Sequence, residues 1–523
     1  MDLQKKNSFS SILLQGVTGS GKTEVYLEAV ANALKNGEQV LVLLPEIALT
    51  SEFFNRVKNR FGANPAEWHS GATLAERRRI WKMVASGGAK LVIGARSALF
   101  LPFMNLGLVI VDEEHDHSYK QEDGVIYNAR DMAVLRSSIE GIPVILASAT
   151  PSLESWVNAK NGKYNHVQIH ERFGQATLPS LSVVDLRTEN LKSDEWISDS
   201  LEKSITECLN NEEQSLLFLN RRGYSPTTVC RACGNQISCD ECDARMVEHR
   251  FINRLMCHQC GHTKAMPHKC PSCGIKGKLA VVGPGVERLA EEAQIKFPKA
   301  VISVLSSDLY GSAKSLKDEI QKISEGNTDI IIGTQLVAKG HNFPKLRLVG
   351  VIDIDIGLQG SDLRAAERTY QLVRQVSGRA GRKDNKGRAL IQTYQPEHPV
   401  VEAIIKGDDD EFWVSEAKQR ELASMPPFGK LVGIIISSSN FENAMFLANQ
   451  LKTSTQALDK IGARVYGPAP APIARIKRRH RIRFLVKSPR TPGLQDAIRK
   501  WVATGSLKGD LRLSIDIDPQ SFY

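Results

Sequence analysis

Residues Gly16-Val17-Thr18-Gly19-Ser20-Gly21-Lys22-Thr23 form a G-x-x-x-x-G-K-T run between an apolar Ile12-Leu13-Leu14 stretch and an amphipathic one. Such a run needs a strand, a tight loop whose backbone N–H groups converge, and a helix that opens at the loop. A chain that carries it is committed to an α/β architecture. The chemistry follows from the same geometry. The loop from Gly16 to Thr23 is expected to close around the phosphates of ATP, with Lys22 reaching the β- and γ-phosphates and the Thr23 hydroxyl ligating Mg²⁺.

Short apolar runs recur along the first 400 residues. SILLQG, EQVLVLLP, KLVIGA, LGLVIVDEE and IPVILASAT each predict a buried strand, and Lys22–Lys35 and Leu74–Ala85 predict helices between them. A second series, QSLLFLN, KLAVVG, AVISVLSS, TDIIIGT, LRLVGVIDI and GRALIQTY, predicts another parallel layer, interrupted near residue 225 and resumed near 278. Residues 399–430 read as helical up to the turn Met425-Pro426-Pro427-Phe428-Gly429, and strands are expected near 431–437, 481–487 and 511–517. The expected division is a first, ATP-binding lobe over 1–178, a second lobe over 179–224 and 279–398, a cysteine-rich insertion over 225–278 and a small α+β domain over 399–523.

Composition narrows the class. Hydrophobic residues make up 42% and charged residues 24%, the balance of a globular protein, and no run of 18 apolar residues occurs to span a membrane. The net charge, 68 − 58 = +10, favours polyanionic partners. Aromatics at 6% argue against a protein built mainly on stacking platforms.

Eight of the nine cysteines fall into four C-x-x-C pairs: Cys230/Cys233, Cys239/Cys242, Cys257/Cys260 and Cys270/Cys273; Cys208 stands alone. With no secretory signal in residues 1–11, the pairs read as metal ligands in a reducing, cytoplasmic compartment. Eight thiolates suffice for two tetrahedral Zn²⁺ ions, although an iron–sulfur cluster is possible on ligand type alone. The 14 residues between Cys242 and Cys257 approach ribbon spacing, which would pair Cys239/Cys242 with Cys257/Cys260 and leave Cys230/Cys233 with Cys270/Cys273. A cross-braced alternative pairs Cys230/Cys233 with Cys257/Cys260. The zinc is expected to be structural, and His249, His258, His262 and His268 are left without a vacancy.

Two further segments suit phosphate chemistry. Leu108-Val109-Ile110-Val111-Asp112-Glu113-Glu114-His115 ends an apolar strand in carboxylates, 90 residues after Lys22. Asp112 would hold Mg²⁺ through its water shell and Glu113 would orient the attacking water. Gln375-Val376-Ser377-Gly378-Arg379-Ala380-Gly381-Arg382 supplies Gln375, Arg379 and Arg382 for γ-phosphate recognition across a cleft. Residues 475–483 carry six Lys/Arg in nine positions, a density that binds nucleic-acid phosphates without sequence preference.

These segments, with LLPEIALT, GARSALF, SATPSLES and GTQLVAKGH in the same order, resemble superfamily 2 helicases. Together with the cysteine pairs set between LFLNRRGY and GPGVER, the wording resembles the bacterial PriA family of replication-restart helicases over nearly the whole chain. The resemblance implies two RecA-like parallel-sheet lobes, an inserted two-zinc module with nested pairing, and a C-terminal domain that binds DNA and the single-stranded DNA-binding protein. It implies ATP-dependent 3′-to-5′ unwinding, fork remodelling and primosome assembly with the machinery that loads the replicative helicase, by a monomer acting on single-stranded and forked DNA. Residues 45–50, 94–97 and 333–335 match segments that touch the tracked strand, Gly340 matches a nucleotide-side position, and residues 117–121 through 127–130 match a loop that links DNA contact to hydrolysis. The family's N-terminal DNA-end-binding and winged-helix domains have no counterpart in this sequence, which begins about 15 residues before the phosphate loop. A rival expectation is therefore a zinc-containing DNA-binding scaffold whose motor is impaired.

Overall fold

The computed structural model describes residues 8–45, 51–122, 124–172, 178–192, 195–220, 227–237, 240, 246–249, 254–257, 262–282, 286–305, 313–335, 337, 343–358, 362–381, 386–476 and 478–521. The first lobe runs, in chain order, through β1 (Ser10–Gly16), α1 (Lys22–Lys35), β2 (Gln39–Leu43), α2 (Ser51–Phe61), β3 (Ala66–Trp68), α3 (Leu74–Ala85), β4 (Leu91–Gly94), β5 (Leu106–Asp112), the small hairpin β6 (Lys120–Gln121) and β7 (Tyr127–Asn128), α4 (Ala129–Glu140), β8 (Pro143–Ser148), α5 (Leu153–Lys160) and β9 (Asn165–Ile169). Its seven-stranded sheet has the order β3-β4-β2-β5-β8-β1-β9 and is parallel throughout.

The continuous apolar strand runs have a simple cause: helices cover both faces of the sheet, so successive side chains are buried in opposite directions. In β2, Val40 and Val42 enter the layer with Tyr26, Leu27 and Val30 of α1, whereas Leu41 and Leu43 enter the layer with Ile80, Val84 and Ala133. The strand Gln214–Leu219 repeats this in the second lobe, with Leu216 and Phe218 on one side and Leu217 and Leu219 on the other.

That second lobe comprises β10 (Ser180–Asp185), α6 (Asp199–Asn210) and β11 (Gln214–Leu219), then, after the cysteine module, α7 (Val286–Lys296), β17 (Ile302–Leu305), α8 (Ala313–Glu325), β18 (Ile330–Gly333), β19 (Leu346–Ile352), α9 (Asp355–Leu358), α10 (Ala365–Ser377) and β20 (Arg388–Thr393). Its parallel sheet has the order β10-β20-β19-β11-β18-β17. The module is an antiparallel sheet, β15-β14-β13-β12-β16, built from β12 (Thr227–Cys230), β13 (Met246–His249), β14 (Arg254–Cys257), β15 (Thr263–Ala265) and β16 (Leu279–Val282). Here the structure departs from the sequence expectation. KLAVVG does not join the second parallel layer; as β16 it pairs antiparallel with β12, Leu279 opposite Cys230. A short apolar run declares that it is a strand but not which sheet receives it.

The remainder is α11 (Pro399–Lys406), α12 (Asp409–Leu422), β21 (Gly429–Ser438), α13 (Phe441–Lys452), α14 (Gln456–Asp459), β22 (Arg464–Ile476), β23 (Arg479–Pro489), α15 (Leu494–Val502) and β24 (Arg512–Ile517). The antiparallel order β22-β23-β21-β24 forms one layer, and α13 and α15 bury Leu447, Leu451, Ile498 and Trp501 against it. The sequence expectation contains no strand at β22, because Pro468, Pro470 and Pro472 argue against one; they are accommodated because β22 is an edge strand. In the parallel sheets the strands without a sequence expectation, β3, β9 and β10, are also edges, where one neighbour and partial burial weaken the apolar signal.

The lobes meet through backbone-directed contacts. Leu153 N donates to Glu367 (3.0 Å), and the Gln371 amide donates to Thr150 O (3.2 Å) and Pro151 O (3.0 Å). Arg364 is buried against Glu154, and Arg420 of α12 joins the same cluster through Glu367 at 2.8 Å. Among the described residues no helix is long and apolar enough to cross a membrane.

Candidate functional site

β1 delivers the chain to Gly16, and the turn that follows is closed by Ser20 N donating to Val17 O (3.0 Å) and by Val17 N donating to Ile169 O (3.2 Å). Gly21 caps α1 at φ 82°, left-handed backbone in which a side chain is strained. At Gly16 a Cβ would meet Ser20 Oγ at 2.6 Å, so the loop leaves its inner surface to backbone. These features fit a phosphate chain. The Lys22 ammonium lies over the loop mouth, donating to Gly16 O (2.6 Å) and Val17 O (3.3 Å).

The end of β5 stands beside it. Asp112 accepts a hydrogen bond from the fully buried Tyr26 hydroxyl at 2.9 Å and from Glu113 N at 3.0 Å. Burial, then repulsion from Glu113, lifts the Asp112 carboxyl to about 6, against the pull of Lys22. Such a carboxylate is short of positive charge, which is the condition a divalent cation would relieve. Glu113 adopts φ 48°, and His115 Nδ1 lies 2.7 Å from Ser148 Oγ. Glu114 faces inward instead: it accepts from Ser152 N (2.6 Å), Ser152 Oγ (3.0 Å) and Ser155 Oγ (2.8 Å), with Arg130 at 3.4 Å. The acidic run therefore divides: Asp112 lies beside Tyr26 and within the pull of Lys22, and Glu114 ties β5 to the SATPSLES segment.

From the second lobe, α10 brings its C-terminal end onto the phosphate loop. A Cβ at Gly378 would stand 3.0 Å from Thr18 Cβ and Oγ1, so the two segments approach closely here. Gln375 and Arg379 are both buried here, at 5% and 7% exposure. Arg172 completes the junction: its guanidinium donates to Gly378 O (2.7 Å), Gly381 O (3.2 Å) and Ala380 O (3.4 Å), while its stem passes Gly19. Sequence reasoning missed Arg172, because a lone arginine after a short strand carries no motif. The gap between Thr18 and Gly378 holds about 40 Å³, whereas a larger cavity of about 430 Å³ opens beyond it, lined by Glu114, Arg130, Gln335, Arg364, Glu367 and Gln375. Gly340, Arg382 and residues 46–50 lie outside the described residues.

Cys230, Cys233, Cys270 and Cys273 bring four sulfurs within 4.8 Å of one another. The Cys230–Cys273 and Cys233–Cys270 Sγ separations are both 3.7 Å, close to the roughly 3.8 Å edge of a tetrahedron with 2.3 Å Zn–S bonds. The two C-x-x-C-G turns are copies of each other. Gly234 N donates to Cys230 O (2.8 Å) and Gly274 N to Cys270 O (2.9 Å), with both glycines left-handed at φ 69° and 73°. Burial pushes the Cys233 thiol up to about 12; against burial, the N–H groups of Cys273 and Ser272 hold Cys270 at about 7. This geometry excludes the cross-braced pairing. Cys239, Cys242 and Cys260 lie outside the described residues, and Cys257 is placed only as the last residue of β14.

The module is seated on the second lobe. Arg231, inside the first turn, donates to Lys192 O (2.5 Å) and Glu195 O (3.3 Å) and stacks over Trp196 at 5.0 Å. On the other lobe, Arg96 of the GARS segment is directed inward to Ser118 O (3.0 Å) and Lys120 O (3.2 Å). The basic run of 475–483 forms the tip of the β22–β23 hairpin, where Arg475 and Arg478 are exposed.

Comparison with known proteins follows this architecture. Residues 3–158 match the family model for DEAD/DEAH box helicases, 239–264 the PriA DNA helicase Cys-rich region domain, 271–384 the helicase conserved C-terminal domain and 421–520 the primosomal protein N C-terminal domain. The chain is 42% identical over 511 residues to the replication restart protein PriA of Rickettsia felis, covering 98% of this chain and 78% of that protein. With the replication restart protein PriA of Bacillus subtilis the identity is 39% over 511 residues, covering 97% of this chain and 63% of that protein.

Proposed function

The chain belongs to the PriA family of replication restart proteins, and from that membership we propose that it works as an ATP-driven DNA helicase that moves 3′ to 5′, remodels stalled or branched forks and starts primosome assembly. The observation that carries the reading is the contact of Gly378 with Thr18, which sets the α10 end of one lobe on the phosphate loop of the other. Opening and closing of that contact is the motion that nucleotide binding and release would drive.

In this reading residues 16–23 hold the ATP phosphates, and Lys22 swings from the Gly16 and Val17 carbonyls to the β- and γ-phosphates. Mg²⁺, held by Thr23 and through water by Asp112, would neutralise charge on the transferring phosphoryl group. Glu113 orients the attacking water, and Gln375, Arg379 and Arg382 sense the γ-phosphate, with Gly340 on the nucleotide side. Arg172 holds the carbonyls of 378–381 so that this segment keeps its distance from Gly19. Glu114 passes movement of β5 to Ser152, and Leu153 N passes it to Glu367 on α10.

Cys230, Cys233, Cys270 and Cys273 hold one structural Zn²⁺, and Cys239, Cys242, Cys257 and Cys260 a second. The β22–β23 tip meets DNA phosphates, and single-stranded DNA-binding protein and the loaders of the replicative helicase are the expected partners in the cytoplasm. The test is ATP hydrolysis with no DNA, single-stranded DNA and forked DNA, beside Lys22→Ala. DNA-stimulated turnover that vanishes in Lys22→Ala is expected. Turnover that survives the substitution would refute the site, and DNA binding without turnover would favour the scaffold reading.

A further inference from the structure

The loop after β5 is held from three directions within five residues. Tyr119, 1% exposed, directs its single hydroxyl proton between Asp112 O (2.7 Å) and Leu43 O (3.0 Å), fixing the loop to the end of the acidic strand. Arg96 holds it from the GARS turn through Ser118 O and Lys120 O. The third hold comes from the far end of the chain. Lys120, whose side chain is 5% exposed, places its ammonium 2.6 Å from the Asp516 carboxylate and donates to Ile517 O at 3.1 Å.

Asp516 lies on β24, fixed by pairing with β21 (Gly433 opposite Asp516, Val432 opposite Ile517) and by Asp518, which accepts from Leu431 N at 3.1 Å. Two residues beyond Asp518, Gln520 O accepts from Arg368 of α10. The end of β24 thus touches the loop beside Asp112 in one lobe and the helix that carries Gln375 in the other. A lysine ammonium taken out of water is tolerated where a carboxylate and a carbonyl replace its hydration, and such pairs fix one geometry more than they add stability.

We propose that Asp516, acting through Lys120, is a positioning residue for DNA-stimulated hydrolysis: it holds the 117–121 loop in the register that carries occupancy of the Arg96 segment to Asp112 and Glu113. The C-terminal domain is then part of the coupling between DNA and ATP as well as a DNA-binding surface. The inference rests on the motor proposed above, and wild-type stimulation by DNA is the control that separates the two.

The experiment measures steady-state ATP hydrolysis by the full chain without DNA and with saturating oligo-dT, for wild type, Asp516→Asn, Asp516→Glu, Lys120→Met and the double variant Lys120→Met/Asp516→Asn, with thermal midpoints in parallel. A chain whose wild type shows no stimulation refutes the motor and, with it, this inference. Otherwise Asp516→Asn is expected to keep basal turnover within twofold while stimulated kcat falls about tenfold. Asp516→Glu, which retains the charge, should recover to within threefold of wild type, and the double variant should fall no further than either single one. Full stimulation in Asp516→Asn, equal loss in the Asn and Glu variants, or additive losses in the double variant would each overturn the proposal. A fall in basal and stimulated turnover together, tracking the thermal midpoint, would do so too, by reducing the pair to a fastening. If Lys120→Met does not fold, the Asn and Glu variants at 516 still decide between these outcomes.

Discussion

The two lobes place different things at equivalent strand ends. In the first, the chain leaves β1 through the phosphate loop directly into α1; in the second, it leaves β11 at Asn220 and passes through the cysteine module before α7. Nearby, a central strand of each lobe ends in acid with an uncommon backbone: Glu113 at φ 48° after β5, Asp353 at φ 52° after β19. Asp112 faces Lys22 of the phosphate loop, whereas Asp353 feels Arg231 of the zinc turn, and Asp355 accepts from Thr393 Oγ1 and Tyr394 N, both at 2.6 Å. The carboxyl end of a parallel sheet is where such folds assemble sites. One lobe leaves that end to a glycine-rich loop under Lys22, and the other uses it to seat a module.

The largest effect expected from this contrast is at Lys22. Lys22→Ala should lower ATP hydrolysis by about a hundredfold or more while leaving zinc content unchanged. A change in bound zinc, measured by atomic emission, would break the independence of the two strand ends. Cys270→Ser should next remove one bound zinc ion per chain and cost at least about tenfold in unwinding, while more than half of DNA-stimulated hydrolysis remains. Equal loss of both activities would make the module a staple of the whole motor.

A third test separates the module's own turn from its seat. Gly234 and Gly274 occupy the same position in twin turns, but a Cβ at Gly234 would lie 2.6 Å from Tyr394 Cβ and 2.7 Å from its carbonyl, whereas among the described residues nothing lies within 4 Å of one at Gly274. Gly274→Ala should cost about 1–2 kcal/mol for its left-handed backbone, and Gly234→Ala about 2–4 kcal/mol, by denaturant titration of the zinc-loaded chain. Equal costs would mean that the seat on Tyr394 contributes nothing.

The smallest expected effect is a pH dependence at the second acidic end. Burial, then repulsion from Asp355, raises Asp353 to about 8, and burial raises Asp355 to about 6, both from 3.8. The native lobe therefore retains protons that the unfolded chain releases, and this contribution to stability is complete below about pH 4 and is lost as pH rises through 6 to 8. Asp353→Asn keeps a residue that tolerates φ 52° and removes the titration. Its stability relative to wild type should rise by about 1–2 kcal/mol between pH 5 and pH 8, read from melting curves at the two values. A difference that does not change with pH would remove Asp353 from the account.

The first strand end was legible because its function lies in local sequence. Eight consecutive residues specify the turn, and the helices Lys22–Lys35 and Leu74–Ala85 were readable from their amphipathic periodicity; the structure adds a Thr73–Glu76 capping box at the start of the second. The second was less legible. Tyr394 meets Gly234, 160 positions earlier (394 − 234), and Arg172 and Lys120 in the first lobe likewise reach partners 206 and 397 positions away; no spacing rule reaches so far. The cysteine pairs lie between these cases: their number announced zinc, but spacing alone left the pairing open until Cys230/Cys233 and Cys270/Cys273 were placed together. KLAVVG was readable as a strand, and only the return path of the chain beside β12 determines its sheet.

The prolines of β22 have a consequence for the protein in a crowded cell. An uncovered sheet edge offers a row of backbone donors and acceptors to any passing extended segment, which is how strands recruit one another into aggregates. Pro468, Pro470 and Pro472 carry no N–H, and the pairing with β23 is irregular around them, between Tyr466 and Ala469 and between Pro470 and Arg475, so this edge offers a visiting strand an incomplete and uneven ladder. The basic hairpin can then stand at the rim of its domain, available to polyanions, without offering that rim as a template for polymerisation.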